Sequence, residues 1–183
     1  PTLQVFDHSI LGDDGPIWNG KIANKFESGK GSKEKPYIIK NGSQLAYAIT
    51  NSNKDTYYQL SNNIYLNDVT DKAWFKKDGN NVWMTDSAFK GHLNGNGFIV
   101  YGIWYPENNA EGNVGLVPKL AGGSIEKIGV RYAYINGQTA GGIVGATSGT
   151  ELKVINQCFV DETVIVKGNT SGGILGYAGD ISN

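Results

Sequence analysis

The chain has 183 residues and a formal net charge of −1, with 16 Lys or Arg residues against 17 Asp or Glu residues. This length indicates one or two domains with enough chain to bury a core. The balanced charge and the presence of a single arginine, Arg131, argue against nucleic-acid partners. No apolar run is long enough to span a bilayer, so we expect no membrane insertion. The 26 glycines favour short strands and tight turns over long helices.

The first part of the chain predicts a lead-in to a β-rich domain. Residues 1–16 form an irregular segment that contains turn residues. Residues 17–23 predict a short strand, and residues 36–39 an edge strand. We expect a single domain over residues 17–183, with a lead-in and cap at 17–66, an insert at 67–88 and repeats at 89–183.

One short amphipathic helix is predicted around residues 43–52. Leu45, Ala48 and Ile49 fall on one face at i, i+3 and i+4, and Ser43 is a suitable N-cap. A lone helix ahead of many strands is well suited to covering the open end of a strand stack.

The second half repeats a glycine-bounded phrase three times. It occurs at residues 114–117, at 141–145 and at 172–176, and each copy is followed by a polar turn and a second apolar stretch. Gly115 and Gly142 lie 27 residues apart, as do Ile125 and Leu152. Such a period is typical of a solenoid, in which each unit buries its apolar face against the next. It favours a parallel β-helix over a β-propeller, which needs longer units, or a β-sandwich, which needs no fixed period.

The phrase Gly141-Gly142-Ile143-Val144-Gly145, followed by Val154-Ile155-Asn156-Gln157-Cys158, resembles the GLUG-type repeats of large bacterial cell-surface proteins. The resemblance extends from about Trp18 to the end of the chain. It implies an all-β, right-handed parallel β-helix from a secreted or surface-attached adhesin-like protein. It transfers no catalytic residue, because the matching positions are glycines and apolar residues.

Aromatic residues concentrate in the insert and in a second irregular stretch at 101–113. A flat ring packs well against the C–H groups of a sugar, while nearby Asn and Asp bond its hydroxyls. The ligand-binding candidates are therefore Trp74, Trp83, Tyr101, Trp104 and Tyr105. The alternative is that these rings pack the long loops against the side of the solenoid. Trp18 lies in the regular lead-in and is expected in the core.

The insert also carries acidic residues that could supply oxygen ligands for calcium. The candidates are Asp68, Asp71, Asp78 and Asp86. Their spacing matches no EF-hand loop, and aspartates are common in turns, so turn residues are the competing interpretation. We expect no other cofactor.

Catalysis by a polysaccharide lyase or glycoside hydrolase is the third hypothesis, because a β-helix groove can present paired carboxylates or a base. Arg131 and Cys158 are one 27-residue period apart, so the pattern predicts no acidic residue stacked on Arg131. His92 falls in the stretch at residues 89–97 that resembles the lead-in of the family, where a turn role suffices. These residues provide no catalytic set.

We therefore expect an adhesin-like module that binds an extracellular ligand, with a polysaccharide as the first choice. A structural spacer that displays other domains is the alternative. The third copy of the phrase breaks off at Asn183 before its closing strand. We accordingly expect further repeats or another chain to cover the C-terminal edge.

Overall fold

The computed structural model describes residues 16–84, 87–107 and 112–179. In these residues the chain winds through about four coils of parallel strands, preceded by one short α-helix. The predicted parallel β-solenoid is thus confirmed. Within the same residues, no helix has the length and apolar character needed to cross a membrane.

The strands stack into four parallel sheets, which the chain visits in the order A, B, C, D. Sheet A contains Tyr37–Ile39 (β1), Tyr57–Leu60 (β2), His92–Asn94 (β5), Gly123–Glu126 (β9) and Lys153–Asn156 (β13). Sheet B contains Ile64–Tyr65 (β3), Ile99–Tyr101 (β6), Gly129–Arg131 (β10) and Phe159–Val160 (β14). Sheet C contains Asn113–Val114 (β7), Ala133–Gly141 (β11) and Val164–Gly172 (β15). Sheet D contains Ala88–Phe89 (β4), Val117–Leu120 (β8), Val144–Thr147 (β12) and Leu175–Tyr177 (β16).

The core is a column of apolar side chains enclosed by the four sheets. Ile39, Leu60, Leu93 and Ile125 are fully buried and lie in successive strands of sheet A. Alternate residues of each strand point inward, so every coil contributes to one continuous interior. Each such side chain contributes roughly 1.5–3 kcal/mol on burial.

Helix α1, Gly42–Thr50, covers the interior at the N-terminal end. Its Leu45, Ala48 and Ile49 are fully buried, as the helical period predicts. The predicted cap is wrong by two residues: the Asn41 side chain accepts a hydrogen bond from the backbone N–H of Gln44 at 3.0 Å. An asparagine cap leaves Ser43 free to lie inside the first turn.

The lead-in is irregular where a strand was predicted. Residues 17–23 form no strand, because Gly20 adopts a φ of 81° and bends the chain at the Asn-Gly pair. Trp18 is buried as expected: its backbone N–H donates to the Tyr65 carbonyl at 2.8 Å, and its ring meets Trp83 edge-on at 5.0 Å. The edge strand predicted at residues 36–39 is β1, whose one partner among the described strands is β2.

The observed register is not a uniform 27 residues. Val117 pairs with Val144, as the period predicts, but Ile125 pairs with Ile155 and not with Leu152. The connection from β12 to β13 at residues 148–152 is longer than the one from β8 to β9 at 121–122. The longer loop extends away from the solenoid, so the inward-facing side chains of β9 and β13 stay aligned with each other.

The glycine phrase marks the corner between sheets C and D, where the backbones of adjacent coils approach closely. A Cβ on Gly145 would lie 2.5 Å from the Pro118 carbonyl oxygen and 2.7 Å from that of Val114. A Cβ on Gly176 would lie 2.5 Å from the carbonyl oxygens of Ala140 and Gly145. These neighbours are backbone atoms held by the sheets, so they cannot move aside for a methyl group.

We predict that Gly145→Ala destabilises the protein by about 2–3 kcal/mol, because the added methyl overpacks a rigid corner. For a domain of this size the loss corresponds to roughly 5–10 °C in Tm. Thermal unfolding followed by circular dichroism measures it. Gly173→Ala is the matched control, because the nearest atom to its added Cβ is a methyl of Val160 at 3.6 Å. Equal Tm values for the two variants would contradict the close-approach explanation.

Candidate functional site

A concave surface lies on the outer face of sheet C. Trp104 forms a parallel bridge to Tyr134 in β11, and Tyr134 pairs in turn with Ile165 in β15. The flanking Ile103 and Tyr105 are fully buried. Because neighbouring residues of an extended strand point to opposite faces, the three paired side chains line the outside of the solenoid.

The insert builds the wall of this surface. A short 3₁₀ helix, Trp74–Lys76, places the Phe75 ring parallel to the Tyr134 ring at 5.0 Å between centroids. The Trp104 indole Nε1 donates to the Phe75 carbonyl at 2.9 Å. The resulting cavity has a volume of about 530 Å³ and is called the Trp104 groove below. It is lined by Phe75, Lys76, Trp104, Pro106, Glu107, Tyr134, Ile165 and Lys167.

A polar triad stands at one end of the Trp104 groove. The Tyr134 hydroxyl donates to the Glu107 carboxylate at 2.7 Å. The Lys167 ammonium lies 2.9 Å from the Tyr134 hydroxyl and 3.3 Å from the Glu107 carboxylate. The groove thus combines partly exposed aromatic surface with hydrogen-bonding groups of both charges, which can bind hydroxyl or carboxylate groups beside a stacked ring.

The triad shifts the protonation equilibria of its two charged members. The Tyr134 hydroxyl, and then the Lys167 ammonium, hold the pKa of Glu107 below its ordinary value of 4.5. The same Tyr134 hydroxyl, and then Glu107, raise the pKa of Lys167. Both groups are therefore charged around neutral pH, and the ion pair is lost on acidification only when the pH falls through the lowered pKa of Glu107.

Two of the five predicted aromatic residues lie inside the solenoid. Trp83 is buried, and its indole Nε1 donates to the Leu116 carbonyl at 2.9 Å. Tyr105 is fully buried, and its hydroxyl lies within hydrogen-bonding distance of the Met84 and Gly115 carbonyls, to one of which it donates. Their rings are covered by protein on both faces, because the chain around 83 and 105 runs along the interior.

Two more of them form a small second core beneath the insert. Tyr101 stacks on Tyr65 at 4.7 Å, and Trp74 packs in the same cluster with Val69 and Tyr134. Trp74 and Tyr101 are both buried. These rings therefore pack the insert against the side of the solenoid, in agreement with the alternative interpretation of the aromatic residues. Trp104 alone of the five lines a groove as a partly exposed ring.

The predicted calcium ligands do not come together in the described part of the chain. Asp68 accepts from the Thr70 backbone and hydroxyl, and Asp71 accepts from the Ala73 backbone at 2.8 Å. The Ala73 N–H, followed by Lys77, lowers the pKa of Asp71. Asp78 is exposed, and Asp86 lies outside the described residues. Residues 16–84, 87–107 and 112–179 contain no cluster of three or more His, Cys, Asp or Glu side chains suited to a metal.

The prediction that Arg131 has no acidic partner is wrong. Val130 pairs with Val160, which brings Asp161 beside Arg131, and the Arg131 Nε lies 2.8 Å from the Asp161 carboxylate. The Arg131 guanidinium also lies 5.7 Å from the centre of the Phe159 ring. The 27-residue period aligned Arg131 with Cys158 because it ignored the longer loop at 148–152. The two charges therefore form an ion pair at a corner, although the Arg131 Nε–H is not aligned for a hydrogen bond.

A second groove, of about 380 Å³, lies on the outer face of sheet A. Tyr57, His92 and Ser124 occupy one register position in successive strands, so the prediction of a turn role for His92 is wrong. The Tyr57 and His92 rings stack at 4.3 Å, and the His92 Nδ1 lies 3.0 Å from the Ser124 hydroxyl. Among the described residues no carboxylate bonds this imidazole, so the pair lacks the orienting group of a hydrolase triad.

Sequence reasoning missed the triad residues Glu107, Tyr134 and Lys167. The sequence does contain an indication of which way Tyr134 faces. Its neighbours Ala133 and Ile135 are apolar and buried, so the alternation of a strand places the Tyr134 side chain on the outer face. Placing Lys167 requires knowing that the register changes by one residue between the β10–β14 pair and the β11–β15 pair, at the Asp161–Thr163 corner. The repeat in the sequence does not reveal this change.

No family model matches the chain, and no solved structure matches it. The chain is 29% identical over 140 residues to a protein of Evansella cellulosilytica described as a Gly-rich membrane protein, across 74% of this chain and 16% of that protein. It is 28% identical over 156 residues to halomucin of Haloquadratum walsbyi, across 81% of this chain and 2% of halomucin. The chain thus spans a small part of these relatives, and the resemblance to GLUG-type repeats stays a prediction.

We predict that Tyr134→Phe raises the pKa of Glu107 toward its ordinary value, because the hydroxyl donor to the carboxylate is lost. Lys167→Met is expected to raise it as well, because the ammonium donor and its positive charge are lost. Carboxyl-carbon NMR titration measures both shifts. Lys76→Met is the matched control, since it removes a positive charge from the same groove and leaves the ion pair intact. A Glu107 pKa that moves only with Lys76→Met would contradict the triad.

Proposed function

We propose that this chain is a β-solenoid module of a bacterial surface or secreted protein, and that it binds an extracellular polysaccharide in the Trp104 groove. The observation that carries the proposal is the composition of that groove. It combines a partly exposed indole, a stacked phenyl ring and a charged triad on a rigid sheet face. A pyranose ring stacked on Trp104 would leave its hydroxyl or carboxylate groups within reach of Lys167 and Glu107.

The rigidity of the groove supports binding of an extended sugar chain. Trp104 and Tyr134 are fixed by parallel backbone pairing, and Phe75 is fixed by the Trp104 indole hydrogen bond. A preformed surface loses little conformational entropy when a ligand binds, so modest contacts yield usable affinity. Stacked coils also repeat their outward positions at about 4.8 Å, a spacing that suits a long polymer better than a compact ligand.

The names of the relatives support a surface setting. One relative is described as a Gly-rich membrane protein and the other as a halomucin, and both are much longer than this chain. We take the surface or secreted location from these names and from the resemblance to GLUG-type repeats. The adhesin-like role and the polysaccharide ligand are our own proposals.

A structural spacer is the second candidate function. The continuous stack of parallel strands favours this function, because it extends the protein along one axis and presents a similar surface at each coil. A spacer needs no ligand and tolerates substitution of the groove residues. The binding experiment below separates the two functions.

We predict that Trp104→Ala weakens binding to a responsive polysaccharide by roughly two- to tenfold, because a stacked aromatic contact is worth about 0.5–1.5 kcal/mol. A glycan array containing neutral and uronate-bearing polysaccharides identifies the ligand, and affinity electrophoresis measures the loss. Glu107→Gln and Lys167→Met change largely exposed side chains, so they test the groove without disturbing the core.

Tyr177→Ala is the matched control, since it removes an exposed aromatic ring from sheet D, outside the groove. It should leave binding unchanged. If no polysaccharide on the array is retained, or if the three groove variants bind as tightly as the wild type, the binding proposal fails and the spacer function takes its place.

A further inference from the structure

Two parallel rows of polar side chains line the groove of about 380 Å³ on the outer face of sheet A, which we call the His92 groove. The first row is formed by Tyr57, His92 and Ser124. The second row lies two residues further along the same strands and is formed by Gln59, Asn94 and Glu126. Leu93 and Ile125 lie between the rows and are buried, so both rows face outward. The volume falls within the range of roughly 300–1,000 Å³ that is usual for ligand sites.

Both donors and acceptors of the His92 groove have no partner in the described part of the chain. These groups are the Tyr57 hydroxyl, the Gln59 amide, the Asn94 amide nitrogen and the Glu126 carboxylate. Asn94 uses only its amide oxygen, which accepts from the Asn96 backbone N–H at 2.8 Å. All four side chains are partly exposed, so water solvates these groups in the free protein. A ligand can therefore replace that water without breaking a bond within the protein.

The His92 imidazole is held by both of its neighbours in the first row. Its ring stacks on Tyr57 at 4.3 Å, and its Nδ1 lies 3.0 Å from the hydroxyl of buried Ser124. In a neutral imidazole one nitrogen donates and the other accepts, so the bond with Ser124 decides the role of Nε2. Nε2 has no partner among the described residues. A ligand hydroxyl, which can both donate and accept, suits Nε2 in either role.

The charges that line the His92 groove favour a neutral ligand. One ammonium, of Lys33, and one carboxylate, of Glu126, line the groove, and their formal charges cancel. The Trp104 groove differs, because Lys76 and Lys167 outnumber Glu107 there. A chain of uronates or phosphates in the His92 groove would meet the unpaired Glu126 carboxylate, and like charges in contact disfavour binding.

Peptide and metal ligands fit the His92 groove less well. Strands β2, β5 and β9 are interior strands of sheet A with a paired strand on each side, so they offer a peptide no free edge for backbone pairing. Of the residues that line the groove, His92 and Glu126 are of the types His, Cys, Asp or Glu, and residues 16–84, 87–107 and 112–179 hold no metal-binding cluster of three such side chains. A neutral ligand rich in hydroxyl groups matches the remaining mixture of donors and acceptors.

We propose that the His92 groove is a second binding site, separate from the Trp104 groove, and that it binds a neutral sugar chain. Each row repeats at about 4.8 Å along the column, and the two rows lie about 6.6 Å apart. A sugar chain that lies along the column presents hydroxyl groups at both of its edges, so each edge meets one row. Hydrogen bonds dominate this site, because the Tyr57 and His92 rings stack on each other. The proposal does not depend on binding in the Trp104 groove.

Side-chain NMR observes the two grooves separately in one titration. The chain has two histidines, so the His92 imidazole Cε1–H signal is the one that persists in His8→Gln. The probes are short neutral oligosaccharides of glucose, mannose, galactose or xylose, together with an oligogalacturonate. We expect at least one neutral probe to shift the His92 signal to saturation, and Trp104→Ala to leave that titration unchanged. The oligogalacturonate should bind the His92 groove at least about tenfold more weakly than that neutral probe.

Two variants each remove one hydrogen-bonding group from the His92 groove. Tyr57→Phe deletes a hydroxyl and keeps the ring that stacks on His92, and Gln59→Ala deletes an outward-facing amide. Each is expected to weaken binding of the neutral probe by roughly two- to tenfold, which is the contribution of one hydrogen bond. Gln138→Ala is the matched control, since it removes an exposed amide from sheet C, outside both grooves, and should leave binding unchanged.

The proposal is overturned if no neutral probe shifts the His92 signal, or if Tyr57→Phe and Gln59→Ala both bind as tightly as the wild type. Preference of the His92 groove for the oligogalacturonate would also overturn it. A set of probes that shifts only the Trp104 indole signal supports the Trp104 groove and overturns the second site. A probe that shifts only the His92 signal supports the second site and counts against binding in the Trp104 groove.

Discussion

Close stacking of one coil on the next is the constraint on which the rest of this protein depends. A two- to nine-residue strand cannot satisfy its own backbone or bury its own side chains, so each coil is stable only as a layer between others. The corner between sheets C and D sets the spacing, because backbone carbonyls there lie where a methyl group would otherwise sit. The glycines admit that approach, and the parallel hydrogen bonds follow from it.

Stacking also decides what the outer surface looks like. Residues at one register position form a row that runs along the column, such as Trp104, Tyr134 and Ile165 on sheet C. The irregular insert gives one of these rows a distinct character, because its Phe75 covers Tyr134 and leaves Trp104 partly exposed. The insert therefore determines which of the repeated outer surfaces is accessible to a ligand.

The fold was predictable because it rests on short-range patterns, and the site was not because it rests on register. Glycine spacing and strand alternation predict the solenoid, and helical periodicity predicts α1. The 27-residue period fails at Arg131, however, because an external loop can lengthen without changing the interior. Aromatic composition likewise identifies the insert but cannot distinguish a buried ring such as Trp83 from a partly exposed one such as Trp104. That difference depends on whether the side chain points into the solenoid or outward.

The position of helix α1 at one end of the column also gives folding an order. Helix α1 and strand β1 precede all the coils in the chain, so they are synthesised first and can cover the first coil before the second emerges. Each completed coil then offers a finished edge to the segment made next, and folding can proceed by addition at one end. Vectorial assembly of this kind needs no long-range search, because each new strand pairs with a strand 36 residues or fewer before it, as Ile64 with Val100.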